Sequence, residues 1–357
     1  MTYIFHKLKN IIGLDMPPTP NNWLITGGCG FLGTALIKQL LSQGEVKHIR
    51  ILDNLTVGTR KDLATACDFT ESTLASLLTP QESLQIELVE GDIRNPDTCE
   101  KCCEDMNVII HLAANTGVPV SVEQPRLDME CNVNGTFNML EGARRHNVKR
   151  FVFASSGAPA GEVEPPIHEE LPPHPVSPYG ASKLAGEGYC SAYFKSFGVE
   201  TVALRFSNVY GPGSTHKSSV VAKFIKQAIN KETLVVYGDG TQTRDFIHID
   251  DLINALVLAA TKENIGGETF QIATSRETTL DEITDLMLDV FVNNGITKPI
   301  VEKTEPRLGD VKRNFSDTSK AKRILGWECH WQLDQGVQDT VEWFLSNPVQ
   351  DERPFTG

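Results

Sequence analysis

A tyrosine and a lysine four residues apart could carry out acid–base chemistry. Tyr179-Gly-Ala-Ser-Lys183 follows a proline-rich stretch, and in a helix residues at this spacing share one face. A lysine ammonium beside a phenol favours the phenolate, which lowers the pKa of the tyrosine and makes it a usable base near neutral pH. Ser156, at the end of the preceding apolar run, could bind the same substrate oxygen. Together these residues predict proton removal from a substrate hydroxyl.

A glycine-rich segment near the N-terminus predicts a nucleotide site. Gly27-x-x-Gly30-x-x-Gly33 stands between an apolar run and a helical pattern. Glycines there allow a tight turn and the close approach of a pyrophosphate, and the helix N-terminus offers it free N–H groups. Asp53 follows after about 20 residues, at the end of the next strand, where a carboxylate binds ribose hydroxyls and repels a 2′-phosphate. The pattern predicts NAD rather than NADP.

Short apolar runs that alternate with helical stretches must position these residues. The predicted strands cover 23–26, 48–52, 84–89, 108–112, 151–154 and 201–206. This alternation predicts an α/β fold with a doubly wound parallel (Rossmann) sheet. After Tyr210, segments rich in glycine, proline and charge predict a smaller C-terminal substrate-binding lobe. The expected organisation is an extension over 1–20, an NAD-binding domain with the catalytic residues over 21–210, a lobe with some elements returning to the sheet over 211–345, and a tail over 346–357.

Several motifs in order along residues 22–345 resemble the extended short-chain dehydrogenase/reductase superfamily. They are Thr26 to Gly33, Asp53-Asn54, Gly91-Asp92-Ile93, His111 to Ala114, Asn132-x-x-Gly135-Thr136, Ser177 to Lys183 and Arg205 to Gly213. Within it, the chain is similar to the NAD-dependent nucleotide-sugar epimerases and dehydratases, UDP-sugar 4-epimerases in particular. That narrower likeness lies in Tyr237 to Gly240 with Arg244-Asp245-Phe246, and in Arg307 with Gly309-Asp310.

The resemblance implies roles for individual residues. Tyr179 would be the catalytic base, Ser156 would assist it, and Lys183 would orient the cofactor ribose. The NAD-binding residues would be Gly27, Gly30, Phe31, Leu32, Gly33, Asp53, Asn54, Asp92, Ile93, Leu112, Ala113, Ala114, Asn132, Tyr179 and Lys183. The substrate-binding residues would be Ser121, Ser156, Asn208, Tyr237, Arg244, Arg307 and Asp310. Guanidinium groups suit a diphosphate, which independently favours phosphate contacts for the two arginines.

One departure from the family pattern bears on the reaction. Gly157 and Ala158 stand where 4,6-dehydratases hold an Asp-Glu pair. Elimination of water needs an acid for the leaving hydroxyl and a base for the carbon proton, and neither residue supplies one. A 4-epimerase needs no such pair, because its 4-keto sugar turns over and takes the hydride back on the other face. The sequence therefore predicts an NAD-dependent epimerase of a nucleotide-linked hexose, with UDP as the expected nucleotide.

Other functions remain open at this stage. Pro159 and Ala160 replace a Val-Tyr pair, so the substrate pocket must differ in shape from that of common epimerases. Acid–base groups for an unusual dehydratase could come from Glu162, Glu164, His168 or Cys131, although 162–170 also fits a solvated loop. A more remote alternative is a family member that senses NAD without catalysis.

The composition bears on binding partners, membrane association and cellular compartment. The formal charge of −13 lacks the basic footprint of a nucleic-acid-binding protein. No apolar run is long enough to span a bilayer. Residues 1–14 could form an amphipathic helix at a membrane surface, but packing against the protein itself or fraying is the favoured interpretation. Eight scattered cysteines favour free thiols and a cytoplasmic protein; Cys99-x-x-Cys102-Cys103 lacks a second ligand pair, so no metal site is predicted. The resemblance implies a homodimer through a helix bundle.

Overall fold

The computed structural model describes residues 20–81, 83–306 and 311–347. The strands are β1 (Asn22–Thr26), β2 (His48–Asp53), β3 (Thr70–Ser72), β4 (Gln85–Glu90), β5 (Val108–His111), β6 (Arg150–Ser156), β7 (Glu200–Phe206), β8 (Asn208–Tyr210), β9 (Leu234–Tyr237), β10 (Thr243–Arg244), β11 (Phe246–His248), β12 (Glu268–Ile272), β13 (Thr278–Thr279) and β14 (Val301–Thr304). The α-helices are α1 (Phe31–Gln43), α2 (Arg60–Ala64), α3 (Pro96–Cys102), α4 (Val118–Glu123), α5 (Pro125–Met129), α6 (Gly135–Arg145), α7 (Pro178–Phe197), α8 (Val220–Ile229), α9 (Ile249–Thr261), α10 (Leu280–Asn293) and α11 (Leu333–Ser346). A π-helical turn, Glu130–Asn134, joins α5 to α6.

Eight parallel strands form the main sheet in the order β12-β7-β6-β5-β1-β2-β4-β3. The chain builds outward from β1 in one direction and then returns to build outward in the other. The strand order therefore reverses between β1 and β5. In such sheets ligands bind at the carboxyl ends of the strands beside that reversal. The predicted doubly wound sheet is confirmed.

Each face of the sheet is covered by helices. Trp23 and Ile25 on β1 pack on one side with α1 and α9, and Leu24 between them packs on the other side with α3 and α6. Successive strand residues point to opposite faces, so a strand covered on both sides must be apolar throughout. This burial explains why the strands appear in the sequence as continuous apolar runs.

The C-terminal part of the chain has a core of its own. Phe224 of α8, Ile283 of α10 and Val337 of α11 belong to a third buried apolar cluster. Two small sheets, β9 with β14 and β10 with β13, lie in this part. In contrast, β12 pairs with β7 at the edge of the main sheet. The lobe expected over 211–345 therefore contains one strand of the main sheet, and its boundaries stay a prediction.

The segment after β2 extends the sheet. β3 adds a short strand beside β4. Beneath this edge, Glu87 is fully buried and accepts hydrogen bonds from Arg50 Nε at 2.8 Å and from the Leu78 N–H at 3.0 Å. His48 Nε2 lies 3.0 Å from the same carboxylate. This polar cluster fastens the inserted segment to β2 and β4.

The structure bears on two further predictions, the absence of a membrane-spanning segment and the role of the clustered cysteines. Across the described residues, no helix is both long and apolar enough to cross a membrane. Cys99, Cys102 and Cys103 are fully buried on and beside α3, where they pack as small apolar side chains. Residues 1–14, where the sequence allows a surface helix, lie outside the described residues.

Candidate active site

The glycine-rich turn links β1 to α1 at the carboxyl edge of the sheet. Gly27 has a φ of +70°, and its N–H donates to the Leu52 carbonyl at 2.8 Å. A Cβ on Gly33 would lie 2.4 Å from Gly28 Cα, so only glycine lets α1 pack this close to the turn. A Cβ on Gly30 would meet a single atom within 4 Å, the Gly27 carbonyl oxygen at 3.3 Å. The space in front of Gly30 is therefore open.

This open space lies at the N-terminus of α1. Gly30 is the N-cap, and within the described chain no side chain caps the helix and no acidic residue lies in its first turn. The N–H groups of Phe31 and Leu32 lack the i−4 acceptors that later residues of a helix have. Such a terminus is a ready anion site. These residues fit the pyrophosphate of a dinucleotide.

Asp53 lies beside this turn, at the end of β2. Its carboxylate is largely buried and accepts hydrogen bonds from the Cys29 N–H at 2.9 Å and the Leu55 N–H at 2.8 Å. Burial raises the pKa of Asp53 above its ordinary value, while the two N–H donors act in the opposite direction. Each oxygen keeps a lone pair, so the carboxylate can also accept from ribose hydroxyls.

A second polar group lies at the end of β4. Arg94 donates to both oxygens of Asp92, at 3.0 and 2.7 Å, and this pair holds the pKa of Asp92 below its ordinary value. Asn54 Nδ2 lies 3.4 Å from Asp92, and Ile93 is buried behind it. Asp92 and Arg94 line an open hollow with Asn95, Pro96 and Glu130. The hollow has the polar rim expected for an adenine site.

The segment after β5 lies against the glycine turn. The Leu112 N–H donates to the Thr26 carbonyl at 3.2 Å, and the Ala113 N–H lies 3.1 Å from Thr26 Oγ1. A Cβ on Gly27 would lie 2.9 Å from the Ala113 nitrogen. Ala114 follows in the same segment and is half-buried. Leu112, Ala113 and Ala114 therefore form the second wall of the predicted NAD site.

Helix α7 positions the tyrosine and the lysine. Ser177 caps the helix by accepting the Gly180 N–H at 3.1 Å, and Pro178 occupies the first helical position. Tyr179 thus lies in the first turn and Lys183 one turn later. Lys183 Nζ donates to the Ala154 carbonyl on β6 at 2.8 Å and lies 5.9 Å from the centre of the Tyr179 ring. Ser156 ends β6 and is near enough to the Tyr179 phenol to lower its pKa.

Burial controls the acid–base properties of this pair. Burial, with a smaller contribution from the charge of Asp128, raises the pKa of Tyr179 to about 12, against the lowering effect of Ser156. Burial also lowers the pKa of Lys183 to about 8. The expectation of a lowered tyrosine pKa is therefore wrong for the protein alone, because loss of water around the phenolate outweighs its neighbours. Tyr179 needs further positive charge near its oxygen to act as a base at neutral pH.

Three predicted substrate-binding residues line one pocket. Asn208 of β8, Tyr237 of β9 and Arg244 of β10 meet there beside the N-terminus of α8. Arg244 Nη1 donates to the Val311 carbonyl at 2.9 Å, and Asn208 Nδ2 to the Asp245 carbonyl at 3.3 Å. The pocket therefore combines a guanidinium, an amide and an aromatic ring.

The other predicted binding residues do not line this pocket in the described part of the structure. Ser121 is fully buried, and its hydroxyl donates to the Val118 carbonyl at 2.7 Å. Asn132 is buried as well, and its amide is used within the protein. Arg307 and Asp310 lie outside the described residues.

The segment after Ser156 carries no acid–base side chain in its first four residues. Ala158–Ala160 forms one 3-10 turn, and the Ala158 N–H donates to Ser156 Oγ at 3.2 Å. A Cβ on Gly157 would approach Asn314, at 3.8 Å from its Nδ2, rather than an acidic or basic group.

The four residues considered for dehydration lie in varied surroundings. Glu162 is exposed, and Glu164 is exposed in an ion pair with Arg313. His168 is half-buried, and its carbonyl accepts the Leu171 N–H. Burial raises the pKa of the Cys131 thiol; its charged neighbours include Arg94 and Asp92, on the proposed adenine side.

Comparison with known proteins gives the family. A model of the NAD dependent epimerase/dehydratase family matches residues 23–273. The chain belongs to this family. It is 36% identical over 330 residues to a putative UDP-glucose 4-epimerase of Methanocaldococcus jannaschii, covering 91% of this chain and 98% of the relative. The predicted family is therefore confirmed.

Solved structures of family members agree with the fold. The UDP-glucose 4-epimerase of Thermotoga maritima, solved with UDP-glucose, has a TM-score of 0.79 at 31% identity and covers 91% of this chain and 99% of its own. The dTDP-glucose 4,6-dehydratase DesIV of Streptomyces venezuelae, solved with NAD, has a TM-score of 0.81 at 29% identity and covers 91% and 97%. The predictions of NAD as the cofactor and of an NAD-dependent epimerase/dehydratase enzyme are confirmed.

The structure adds site residues that the sequence arguments missed. Glu187 accepts the Ser155 hydroxyl at 2.6 Å and pairs with Arg205 through both oxygens, at 2.8 and 2.7 Å. Glu187 follows Lys183 by four residues on α7, and this spacing could have predicted that both side chains lie on the same face of the helix. Gly58 packs directly against the glycine turn, because a Cβ there would lie 2.2 Å from the Cys29 carbonyl oxygen. No motif or spacing in the sequence pointed to this position.

A loop from the C-terminal part of this family member also reaches the glycine turn. We term residues 211–217 the bridging loop. Lys217 Nζ lies 5.5 Å from the centre of the Phe31 ring, and His216 Nε2 lies 3.2 Å from Asp62 of α2. Lys226 of α8 donates to the carbonyls of Thr215 and Lys217, at 2.9 and 2.8 Å. The bridging loop thus connects the lobe to the predicted NAD site.

Proposed function

We propose that the protein is a 4-epimerase of a UDP-linked hexose, with Tyr179, Ser156 and Lys183 as its catalytic residues. The observation that carries the proposal is that Ser156 lies near enough to Tyr179 to lower its pKa and is followed directly by Gly157 and Ala158. This arrangement can move a proton at a hydroxyl group but offers no acid or base for elimination at that point. The names of the relatives support the same choice.

The glycine turn, the N-terminus of α1, Asp53 and Lys183 would hold NAD. When bound, NAD supplies a hydride acceptor for C4 of the sugar and returns the hydride to the opposite face. Tyr179 removes the proton from the C4 hydroxyl, Ser156 hydrogen-bonds to the same oxygen, and Tyr179 later returns the proton. Lys183 contributes a positive charge beside the phenolate.

The lobe would keep the nucleotide in place while the sugar reorients. Arg244 and Asn208 lie in one pocket and would bind the diphosphate, with Tyr237 beside them. Arg307 and Asp310 are proposed as further ligands of this group. A diphosphate fastened in the lobe lets the neutral 4-keto sugar rotate about its bonds without leaving the site.

A dehydratase is the second candidate, because DesIV shares this fold over nearly the same length. It would require an acid–base pair from outside the Gly157 position. A non-catalytic NAD sensor is a third candidate, which the intact Tyr179, Lys183 and Ser156 disfavour.

Proton NMR with a panel of UDP-hexoses in heavy water separates these functions. Inversion at C4 without deuterium uptake is the expected result, since the hydride does not exchange with solvent. Loss of water, or deuterium at C5 or C6, would instead establish a dehydratase. No reaction with any hexose, while NAD still binds, would favour the sensor. The Tyr179→Phe variant is the control for contaminating enzymes.

We further propose a cytoplasmic homodimer formed through α6 and α7. An aromatic surface covers these helices: Phe137 and Tyr189 have ring centres 5.6 Å apart, and Tyr193 and Phe197 5.0 Å apart. Phe137 and Tyr189 are each 39% exposed and Phe197 is 55% exposed, which is unusual for large apolar side chains grouped together. We term these four residues the aromatic surface.

A further inference from the structure

A buried carboxylate lies behind the catalytic residues. Asp128 on α5 is 1% exposed, and its Oδ1 accepts a hydrogen bond from Asn132 Nδ2 at 2.9 Å. Its other oxygen, Oδ2, is buried without a partner among the described residues. A carboxylate buried in this way is costly, so its retention calls for a reason beyond packing.

Asp128 is part of a network that ends at Tyr179. The Asn132 amide is clamped to the Asn115 backbone, accepting its N–H at 2.8 Å and donating to its carbonyl at 2.9 Å. Asn132 Nδ2 also lies 3.1 Å from Ser182 Oγ, which in turn lies 3.0 Å from the Tyr179 carbonyl oxygen. The network therefore connects α5 and the π-helical turn to the first turn of α7.

We propose that Asp128 is a positioning residue: its buried carboxylate holds Asn132, and through Asn132 it holds Ser182 and the face of α7 that carries Tyr179 and Lys183. The proposal rests on the function proposed above. The carboxylate acts in two ways, since it orients the first turn of α7 and places a negative charge opposite the Tyr179–Lys183 pair.

The other ionisable groups around Lys183 contribute less net charge. Glu187, one turn further along α7, is neutralised by the two-point ion pair with Arg205 of β7. Cys190 on α7 stays a thiol, because burial raises its pKa well above the ordinary value. His111 of β5 stays neutral, because burial lowers its pKa to about 3. Among the residues that the structure describes, Asp128 is left as the negative group that acts on the pair from another element.

The charge of Asp128 raises the pKa of both catalytic groups, which disfavours the charged form of the tyrosine and favours the charged form of the lysine. On the lysine it opposes the effect of burial. Removing the charge of Asp128 should therefore lower the pKa values of both Tyr179 and Lys183.

The Asp128→Asn variant tests this, because it keeps the size of the side chain and removes its charge. We expect both limbs of the pH profile of kcat/KM to move to lower pH by about one pH unit, as the pKa values of Tyr179 and Lys183 fall together. The Glu123→Gln control removes an exposed carboxylate five residues earlier and should leave the profile in place. A variant that loses activity equally at every pH would show a structural role alone and overturn the proposal.

A second measurement does not depend on turnover. Tyrosinate absorbance is titrated in the NAD-bound protein, with Tyr179→Phe subtracted, so that the pKa of Tyr179 is read directly in wild type and Asp128→Asn. A lower pKa in the variant supports the proposal, and an unchanged pKa overturns it. If no UDP-hexose is epimerised, the proposed function fails while this titration still decides the role of Asp128.

The Ser182→Ala variant tests the positional link should Asp128→Asn not fold. It interrupts the connection to α7 but keeps the carboxylate. We expect kcat to fall about tenfold with both limbs of the pH profile unmoved. An unchanged kcat would overturn the role of Asp128 in orienting α7.

Discussion

Burial moves the pKa values of the two central side chains in opposite directions, so they lie further apart in the folded protein than in water. The pKa of Tyr179 rises to about 12 and that of Lys183 falls to about 8, in both cases because the charged form loses water. In the protein alone, Tyr179 keeps its proton more strongly than a phenol in water does. Positive charge close to its oxygen would favour the phenolate.

Replacing Tyr179 with phenylalanine tests this residue most directly. Tyr179→Phe should reduce turnover by about 10²–10⁴-fold, since the proton at the C4 hydroxyl loses its acceptor. NAD should remain bound, because the glycine turn and Asp53 are untouched. The measurement combines turnover of the UDP-hexose with cofactor content after gel filtration. Turnover close to that of wild type would remove Tyr179 as the base.

At the scale of elements, the β1–turn–α1 unit shows how glycine serves two purposes. Gly33 is required for packing, because its Cβ would lie 2.4 Å from Gly28 Cα. At Gly30 a Cβ would meet only the Gly27 carbonyl oxygen, at 3.3 Å, so its cost in packing is much smaller and its main effect falls on a ligand that lies there. The two positions therefore predict different phenotypes for the same substitution.

Gly33→Ala should lower the free energy of unfolding by about 1–3 kcal/mol and weaken NAD binding, because the turn must move away from α1. Gly30→Ala, its matched control, should leave the melting temperature nearly unchanged while still weakening NAD binding. Thermal unfolding and NAD titration of both variants check this. Equal loss of stability in the two would show that Gly30 has no special relation to the ligand.

Most of these elements could be predicted from local pattern. The apolar runs marked β1, β2, β4, β5, β6 and β7 because strands buried on both faces need apolar residues throughout. β3 could not be predicted, since Thr70-Glu-Ser72 is polar and becomes a strand only by pairing with β4. The candidate site likewise combines features that local sequence predicts with features that depend on distant segments. Spacing placed Tyr179, Lys183 and Asp53 correctly in the fold, but the pKa of Tyr179 depends on burial by distant segments.

At the scale of the whole molecule, one buried cluster makes stability depend on pH. Burial alone would raise the pKa of Glu87, but hydrogen bonds from His48, the Leu78 N–H and Arg50 bring it down to about 2. A carboxyl whose pKa is lowered on folding stabilises the protein above its ordinary pKa of 4.5, and this contribution disappears as pH falls toward 2.

Glu87→Gln should therefore lower the free energy of unfolding by roughly 3 kcal/mol at neutral pH, because Arg50 loses its buried partner. It should also flatten the decline of stability between pH 4.5 and 2. Urea unfolding across this pH range measures both effects. Glu302→Gln, at an exposed position on β14, is the control and should change neither. A variant as stable as wild type would show that the cluster does not hold the sheet edge.

The proposed dimer gives a prediction about assembly. Tyr189→Glu places a charge in the aromatic surface and should convert the dimer to a monomer, because burying an unpaired carboxylate is costly. Val292→Glu introduces the same charge at another exposed apolar position, on α10, and should leave the dimer intact. Sedimentation velocity distinguishes the two. A wild-type monomer, or a Tyr189→Glu dimer, would contradict assembly through α6 and α7.

The bridging loop has a consequence for how long the cofactor stays. It ties the lobe to Phe31 and Asp62, the residues that border the dinucleotide turn. We expect that a dinucleotide seated there exchanges with solvent mainly when these contacts open. Epimerisation leaves no net oxidation behind, so nothing in the chemical cycle requires exchange. NAD would then behave as a resident prosthetic group, with a residence time of many catalytic cycles and a specific activity that survives dilution.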